Sequence, residues 1–278
     1  QPLICTVEKI ERKKENKNPP LLFNLAELQN VCSKLFKISP DETLSIVQDL
    51  YEKKLVTYPR TDARVLSTAV AKEIYKNISG LRNYPQAGEA AQGALELGAY
   101  KNIAKTRYTN DKQITDHYAI IPTGQGLGAL KGLSLTAQRV YETIVRRFLS
   151  IFYPPAVYQK VSLVTKMENE SFFSSFKVLL SEGYLKIAAN SFAKKSMAEA
   201  SGKTPESEGE GEVSCDEALL AALQKLKKGD ILNINGLGIK EGETSPPKRY
   251  NSGSMILAME NAGQLIEDED LRSQIKGS

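Results

Sequence analysis

The period of the apolar residues changes twice along this chain, and no single motif restricts the fold as much. Residues 3–11 are dense in strand formers. Between about residue 20 and residue 150 the apolar positions fall at helical spacing in several segments, on either side of a less regular stretch at 80–134. Residues 157–166 and 172–180 then alternate apolar and polar side chains, as a half-buried antiparallel hairpin requires. A helical block set between strands predicts an α+β chain of more than one domain. The expected divisions are 1–19 and 151–245 for the strand-rich part, 20–150 for the helical part, and 246–278 for a further segment.

Within the helical block, Asn24 and Glu27 make a capping-box pair around a stripe of Leu25, Leu28, Cys32 and Leu35. Ser39, Pro40 and Glu42 open a second helix, whose stripe is Leu44, Val47, Leu50 and Tyr51. Lys53 and Lys54 suit its negative end. A third helix starts near Ser67 and is expected to turn Val70, Ile74 and Tyr75 inward. Residues 80–134 are less regular and rich in glycine. Residues 136–152 predict an amphipathic helix with Val140, Ile144, Val145 and Phe148 inward. Its arginines Arg139, Arg146 and Arg147 read as a solvated outer face, and Pro154-Pro155 stops it.

Outside the block, the polar run 12–18 before Pro19-Pro20 reads as a linker or hairpin arm. The acidic run 194–216 has no period and reads as a surface loop. Strand character returns over 226–240, around Gly229-Asp230. After Pro246-Pro247, a helix is expected over 254–262 and another short one over 267–275.

Charge and cysteine usage narrow the function classes. The 278 residues carry a formal charge of +4, with a pI near 8.7, which permits nucleic-acid binding without demanding it. Cys5, Cys32 and Cys215 are far apart and odd in number, so they suit a reducing cytoplasm better than a disulfide framework. One histidine and no Cys-x-x-Cys pair exclude a zinc ribbon. No apolar run is long enough for a membrane span, and no secretory leader is visible. The chain begins at Gln1 and ends on Lys276-Gly277-Ser278 just after a helical pattern, which is the expectation for a piece of a larger protein.

The chemistry points to Val56-Thr57-Tyr58-Pro59-Arg60-Thr61-Asp62. Val56 and Thr57 favour an extended backbone, and Pro59 keeps Tyr58 out of the helical region. Side chains two apart on an extended chain share a face, so Tyr58 and Arg60 are expected on one side. A phenol beside a guanidinium suits a phosphodiester: the phenolate attacks phosphorus and the fork of donors holds the phosphate oxygens. Free tyrosine ionises near ~10, so a working nucleophile needs cationic neighbours or a base. A packed tyrosine with a satisfied hydroxyl fits the same seven residues.

Two further segments accompany it: Asp116-His117-Tyr118-Ala119-Ile120-Ile121-Pro122-Thr123, and Thr244-Ser245-Pro246-Pro247-Lys248-Arg249-Tyr250. Their order and separation resemble those of the type IA DNA topoisomerases. The phrase from Gly253 to Gly263, followed by Leu265-Ile266-Glu267-Asp268, looks like the bacterial topoisomerase III branch. The resemblance covers nearly the whole chain, apart from a stretch around 190–220.

The resemblance implies a helical, winged-helix-like domain carrying the catalytic Tyr58 and Arg60, inserted in a β-rich arch and moving away to open a gate. It implies that His117 contacts DNA phosphate, although many relatives carry a second histidine where this chain has Tyr118. It makes Lys248 and Arg249 DNA contacts where the arch leads into a DNA-groove domain at 246–278. It implies ATP-independent strand breakage through a 5′-phosphotyrosine link, consistent with the lack of a Gly-x-x-x-x-Gly-Lys-Ser/Thr phosphate loop.

Magnesium would be held by an N-terminal Toprim domain, with none bound by these residues, so the piece alone is expected to be inactive. The expected partners are single-stranded and negatively supercoiled or catenated DNA, acted on by a monomer in the bacterial cytoplasm, at the nucleoid. A non-catalytic winged-helix nucleic-acid binder with a structural tyrosine is the other reading of the same residues.

Overall fold

The computed structural model describes residues 3–192, 212–214, 217–239 and 241–265. In chain order its elements are β1 (Leu3–Lys17), α1 (Leu25–Phe36), α2 (Pro40–Glu52), α3 (Thr68–Glu73), α4 (Tyr75–Gly80), α5 (Gly88–Leu97), α6 (Leu135–Ser150), β2 (Ala156–Met167), β3 (Glu170–Ser181), α7 (Leu185–Ala188), β4 (Glu212–Ser214), α8 (Glu217–Lys225), β5 (Ile231–Ile234) and α9 (Ser252–Glu260). Short 3₁₀ turns fill the connections between α4 and α6. Contacts divide this α+β chain into two compact units. One unit is drawn from Gln1–Pro19, Pro154–Lys186 and Ala193–Pro246. The other is drawn from Pro20–Tyr153, Ile187–Phe192 and Pro247–Ser278.

In the helical unit the caps follow from sequence. Asn24 Oδ1 accepts from the Glu27 amide at 2.9 Å, and Ser39 Oγ from the Glu42 amide at 3.1 Å. The box expected at Asn24 is only half built, because the Glu27 carboxylate faces Arg64 and Arg147 at 3.6 and 3.9 Å. Leu28, Cys32, Val47 and Leu50 are buried between α1, α2 and their neighbours, while Leu35 is 49% exposed. Ile74 is buried, but Tyr75 is 46% exposed and does not turn inward.

α6 runs through this core with Val140, Ile144, Val145 and Phe148 fully covered, each worth about 1.5–3 kcal/mol relative to exposure. Its arginines are not a solvated face. Arg146 is bonded to the buried Glu142 at 2.5 Å and to the carbonyls of Gln86 and Ile187. Arg147 lies 4.2 Å from the Phe23 ring and donates to Leu21 O, and Arg139 lies 5.3 Å from the Phe192 ring. A helical pattern shows which side of a helix is apolar, but not whether neighbouring loops fold over the other side. Here residues 187–192 do so, with Ser191 donating to both oxygens of Glu142 at 2.6 and 2.7 Å.

The second unit is a five-stranded sheet in the order β4-β3-β2-β1-β5. β1, β2, β3 and β5 pair antiparallel, and β4 lies parallel to β3. The run 12–18 is not a linker: β1 continues to Lys17, paired with β2 down to Lys17↔Ala156. Arg12 explains part of this. Its guanidinium donates to Leu223 O at 2.7 Å and Leu226 O at 2.5 Å, satisfying carbonyls at the end of α8. Val7, Val161, Leu163 and Leu223 make the small core beneath that helix.

Within the expected acidic loop, Glu212–Ser214 is strand β4, and the loop's remainder lies outside the described residues. So do Cys215 and the helix expected over 267–275. The strand expected over 226–240 is shorter, because α8 reaches Lys225 and a turn at Gly229 precedes β5.

Candidate active site

A short ladder between two distant parts of the sequence builds the site. The backbone amides of Thr57 and Thr123 donate to Ile121 O and Leu55 O, both at 3.0 Å. Val56 pairs antiparallel with Pro122. The Thr57 side chain adds to the ladder, donating to Ala119 O at 3.1 Å and accepting from the Ile121 amide at 3.0 Å. At the far end, Gly124 has a φ of 77°, and a Cβ there would meet Asn77 O at 2.6 Å, so the ladder can close against α4 only with glycine.

Tyr58 leaves one strand of this ladder as His117 approaches the other. Their ring centroids are 4.3 Å apart at 42°, and Tyr51 from the end of α2 meets Tyr58 edge-on at 5.5 Å. The buried Thr61 ties the loops together beyond Pro59, donating from Oγ1 to His117 O at 2.8 Å. Tyr58 is half-buried and His117 exposed. Burial pushes the neighbouring Tyr118 phenol upward, which suits a neutral packing group.

Arg60 is exposed, and its Nη2 donates to Gln48 Oε1 at 3.4 Å. It lines a concavity of about 520 Å³ together with Thr61, Asp62, Asp116, His117 and Glu260, but Tyr58 is not in that lining. The expectation that Tyr58 and Arg60 share a face takes this form: the phenol ring packs on Tyr51 and His117, and the guanidinium turns to α2.

Asn24 fixes another part of the wall. Its Nδ2 donates to Glu260 Oε1 at 2.6 Å and to Asp62 O at 3.1 Å. Burial raises the Glu260 carboxyl above its usual range, against the Asn24 bond and Arg64, with Glu27 and Asp62 adding to the rise. α9 reaches this position because Gly253 packs closely on α1, where a Cβ would lie 2.8 Å from that of Ser33.

A family model described as DNA topoisomerase matches residues 3–264. This chain belongs to the type IA DNA topoisomerase family. It is similar to DNA topoisomerase 3 of Bacillus licheniformis, 36% identical over 252 residues, which are 90% of this chain and 31% of the relative. DNA topoisomerase 3 of Bacillus subtilis is 32% identical over 267 residues, 96% of this chain and 34% of that relative. The chain thus spans about a third of the length of the curated relatives it matches. Full-length topoisomerase I from Thermotoga maritima shares the fold, with a TM-score of 0.59 at 22% identity, over 94% of this chain and 38% of that one.

Within this chain the structure brings Tyr58, Arg60 and His117 into one neighbourhood. Lys248 and Arg249 lie on an exposed, irregular segment ahead of α9, while other residues line the concavity. Among the described residues no group of three or more His, Cys, Asp or Glu side chains is arranged to hold a metal ion. Sequence reasoning missed Tyr51, Gln48 and the Asn24–Glu260 bond. Tyr51 had a signal, since it sits at the edge of the apolar stripe of α2. The other two depend on contacts between elements.

Proposed function

We propose that Tyr58 is the nucleophile of a DNA topoisomerase that breaks one strand, passes another through the break and reseals it without ATP. The carrying observation is the contact of the Tyr58 and His117 rings at 4.3 Å, held by a ladder that joins the first two family motifs. The phenol oxygen attacks phosphorus and loses its proton. The bond from phosphorus to the 3′ oxygen of the neighbouring nucleotide breaks, and that oxygen leaves as a hydroxyl. One phosphoester replaces another, so the reverse attack reseals the strand with no added energy source.

His117 and Arg60 act as charge-assisted donors to the phosphate oxygens. Lys248 and Arg249 contact the strand away from the break. The helical unit is the winged-helix-like domain that moves, and the sheet unit belongs to the arch. Magnesium serves the whole protein, with its ligands in the Toprim domain of the longer enzyme. The donor set of the described residues does not fit a metal ion, so no step here runs through one. The whole protein works as a monomer in the bacterial cytoplasm on single-stranded regions of negatively supercoiled or catenated DNA.

The test uses a single-stranded oligonucleotide labelled at its 3′ end. After denaturation, label stays on the whole protein and is absent from its Tyr58→Phe variant. Adduct at wild-type yield in the variant sinks the assignment. Strand binding without any adduct in the wild type would favour the non-catalytic reading.

A further inference from the structure

One face of the sheet unit carries charge in an arrangement that folding alone disfavours. Lys13, Lys160 and Lys177 stand directly opposite one another on β1, β2 and β3. Like charges in register across strands are destabilising. Contacts confirm that the row shares one face: Lys177 Nζ lies 4.8 Å from the Tyr158 ring and 3.6 Å from Glu15 Oε2. Four residues along the strands, the row Lys9–Val164–Phe173 lies on the same face. Phe173 is 80% exposed, on a face opposite the one that covers Val161 and Leu163.

The local carboxylates do not neutralise the row. Glu11 pairs with Lys9 at 2.7 Å and Glu15 with Lys177, so among the described residues Lys13 and Lys160 have no carboxylate partner. With Lys166, also on this face, the lysines exceed these glutamates by three, when the whole chain has a formal excess of only +4. Three strands about 4.8 Å apart spread the lysine row over roughly 10 Å. Phe173 stands about 13 Å along the strand direction from it.

We infer that this face binds a single strand of nucleic acid, with Lys13, Lys160 and Lys177 along its phosphates and Phe173 as a stacking surface for a base. A row of cations with an exposed ring beside it matches a strand that offers both phosphates and unpaired bases. A duplex would leave the ring without a partner. The site lies wholly in the sheet unit and does not use Tyr58. It shares with the proposed function only its ligand class.

The experiment measures binding of fluorescent oligo-dT to the 278-residue chain over a range of salt. Lys13→Gln/Lys160→Gln should lower the slope of log affinity against log salt by about 1.4, since each phosphate contact to a single strand contributes about 0.7. At about 0.1 M salt that corresponds to a ten- to thirtyfold loss of affinity. The paired Lys→Arg variant should keep the slope. Phe173→Ser should weaken binding by about tenfold with the slope unchanged.

The melting temperature of the glutamine variant should stay at or above that of wild type, which separates lost contacts from a damaged fold. Adduct formation by the whole protein carrying the same substitutions is read separately, at saturating oligonucleotide. A lost slope with intact adduct chemistry, and a lost adduct with an intact slope, are therefore distinct results. An unchanged slope in the glutamine variant overturns the inference, as does failure of the wild-type chain to bind oligo-dT. Binding of phosphatidylglycerol vesicles in place of the oligonucleotide overturns it too.

Discussion

Helix α6 and the lysine face of the sheet unit treat positive charge in opposite ways. In the helical unit two of the three arginines of α6 have their donors taken up internally: Arg146 by Glu142 and two backbone carbonyls, Arg147 by Leu21 O and the Phe23 face. On the lysine face of the sheet unit, Lys13 and Lys160 face each other with no described carboxylate partner. A planar guanidinium can satisfy several carbonyls at once, so it serves packing, whereas a flexible ammonium stays hydrated and available. Charge therefore supports the packing around α6, while on the lysine face it remains at the surface at some cost to stability. The rim beside Tyr58, with Arg60 and His117 exposed, departs from the pattern of α6.

The largest expected effect separates the units by chemistry. Tyr58→Phe in the whole protein should lower covalent adduct formation by at least ~10³-fold, the scale for loss of an essential catalytic group. The salt slope that belongs to the sheet face should not move. A shift in that slope would show that the two surfaces are one.

Next comes the contrast between the cations themselves. Arg146→Ala leaves Glu142 buried and uncompensated, and should cost about 3–5 kcal/mol in a urea titration. Lys13→Gln should change stability by less than about 1 kcal/mol and in the favourable direction. Equal losses at the two positions would end the distinction drawn between them.

At the rim, losing a charge-assisted donor should cost about 1.5–3 kcal/mol, or roughly tenfold to a hundredfold in cleavage. Arg60→Ala should show that loss at every pH, because guanidinium is always charged. His117→Ala should show a loss of the same order in cleavage by the whole protein, with its melting temperature unchanged. Cleavage at the wild-type rate together with a lowered melting temperature would make His117 a packing group.

The smallest effect concerns Glu260. Its carboxyl is raised by burial, so the folded chain holds a proton above the usual value of 4.5, and stability from this group is lost as pH rises through that window. Glu260→Gln keeps an acceptor for Asn24 and removes the charge. Its melting temperature should exceed that of wild type slightly at pH 7 and converge with it toward pH 4. A variant less stable at neutral pH would show that the carboxylate is needed as a charge.

Much of the local structure was legible from neighbouring residues. The caps at Asn24 and Ser39, the inward face of α6, the hairpin of β2 and β3 and the extended entry to Tyr58 all follow from side chains a few positions apart. The family's motifs pointed to Tyr58 and His117, but their ring contact depends on Thr57 meeting Ala119 and Ile121, more than 60 residues away. The length of β1, the fate of the α6 arginines and the lysine row were likewise decided by tertiary structure. Caps and periods act within a turn or two of chain. Register and burial depend on which distant segments close against one another, and no local preference encodes that choice.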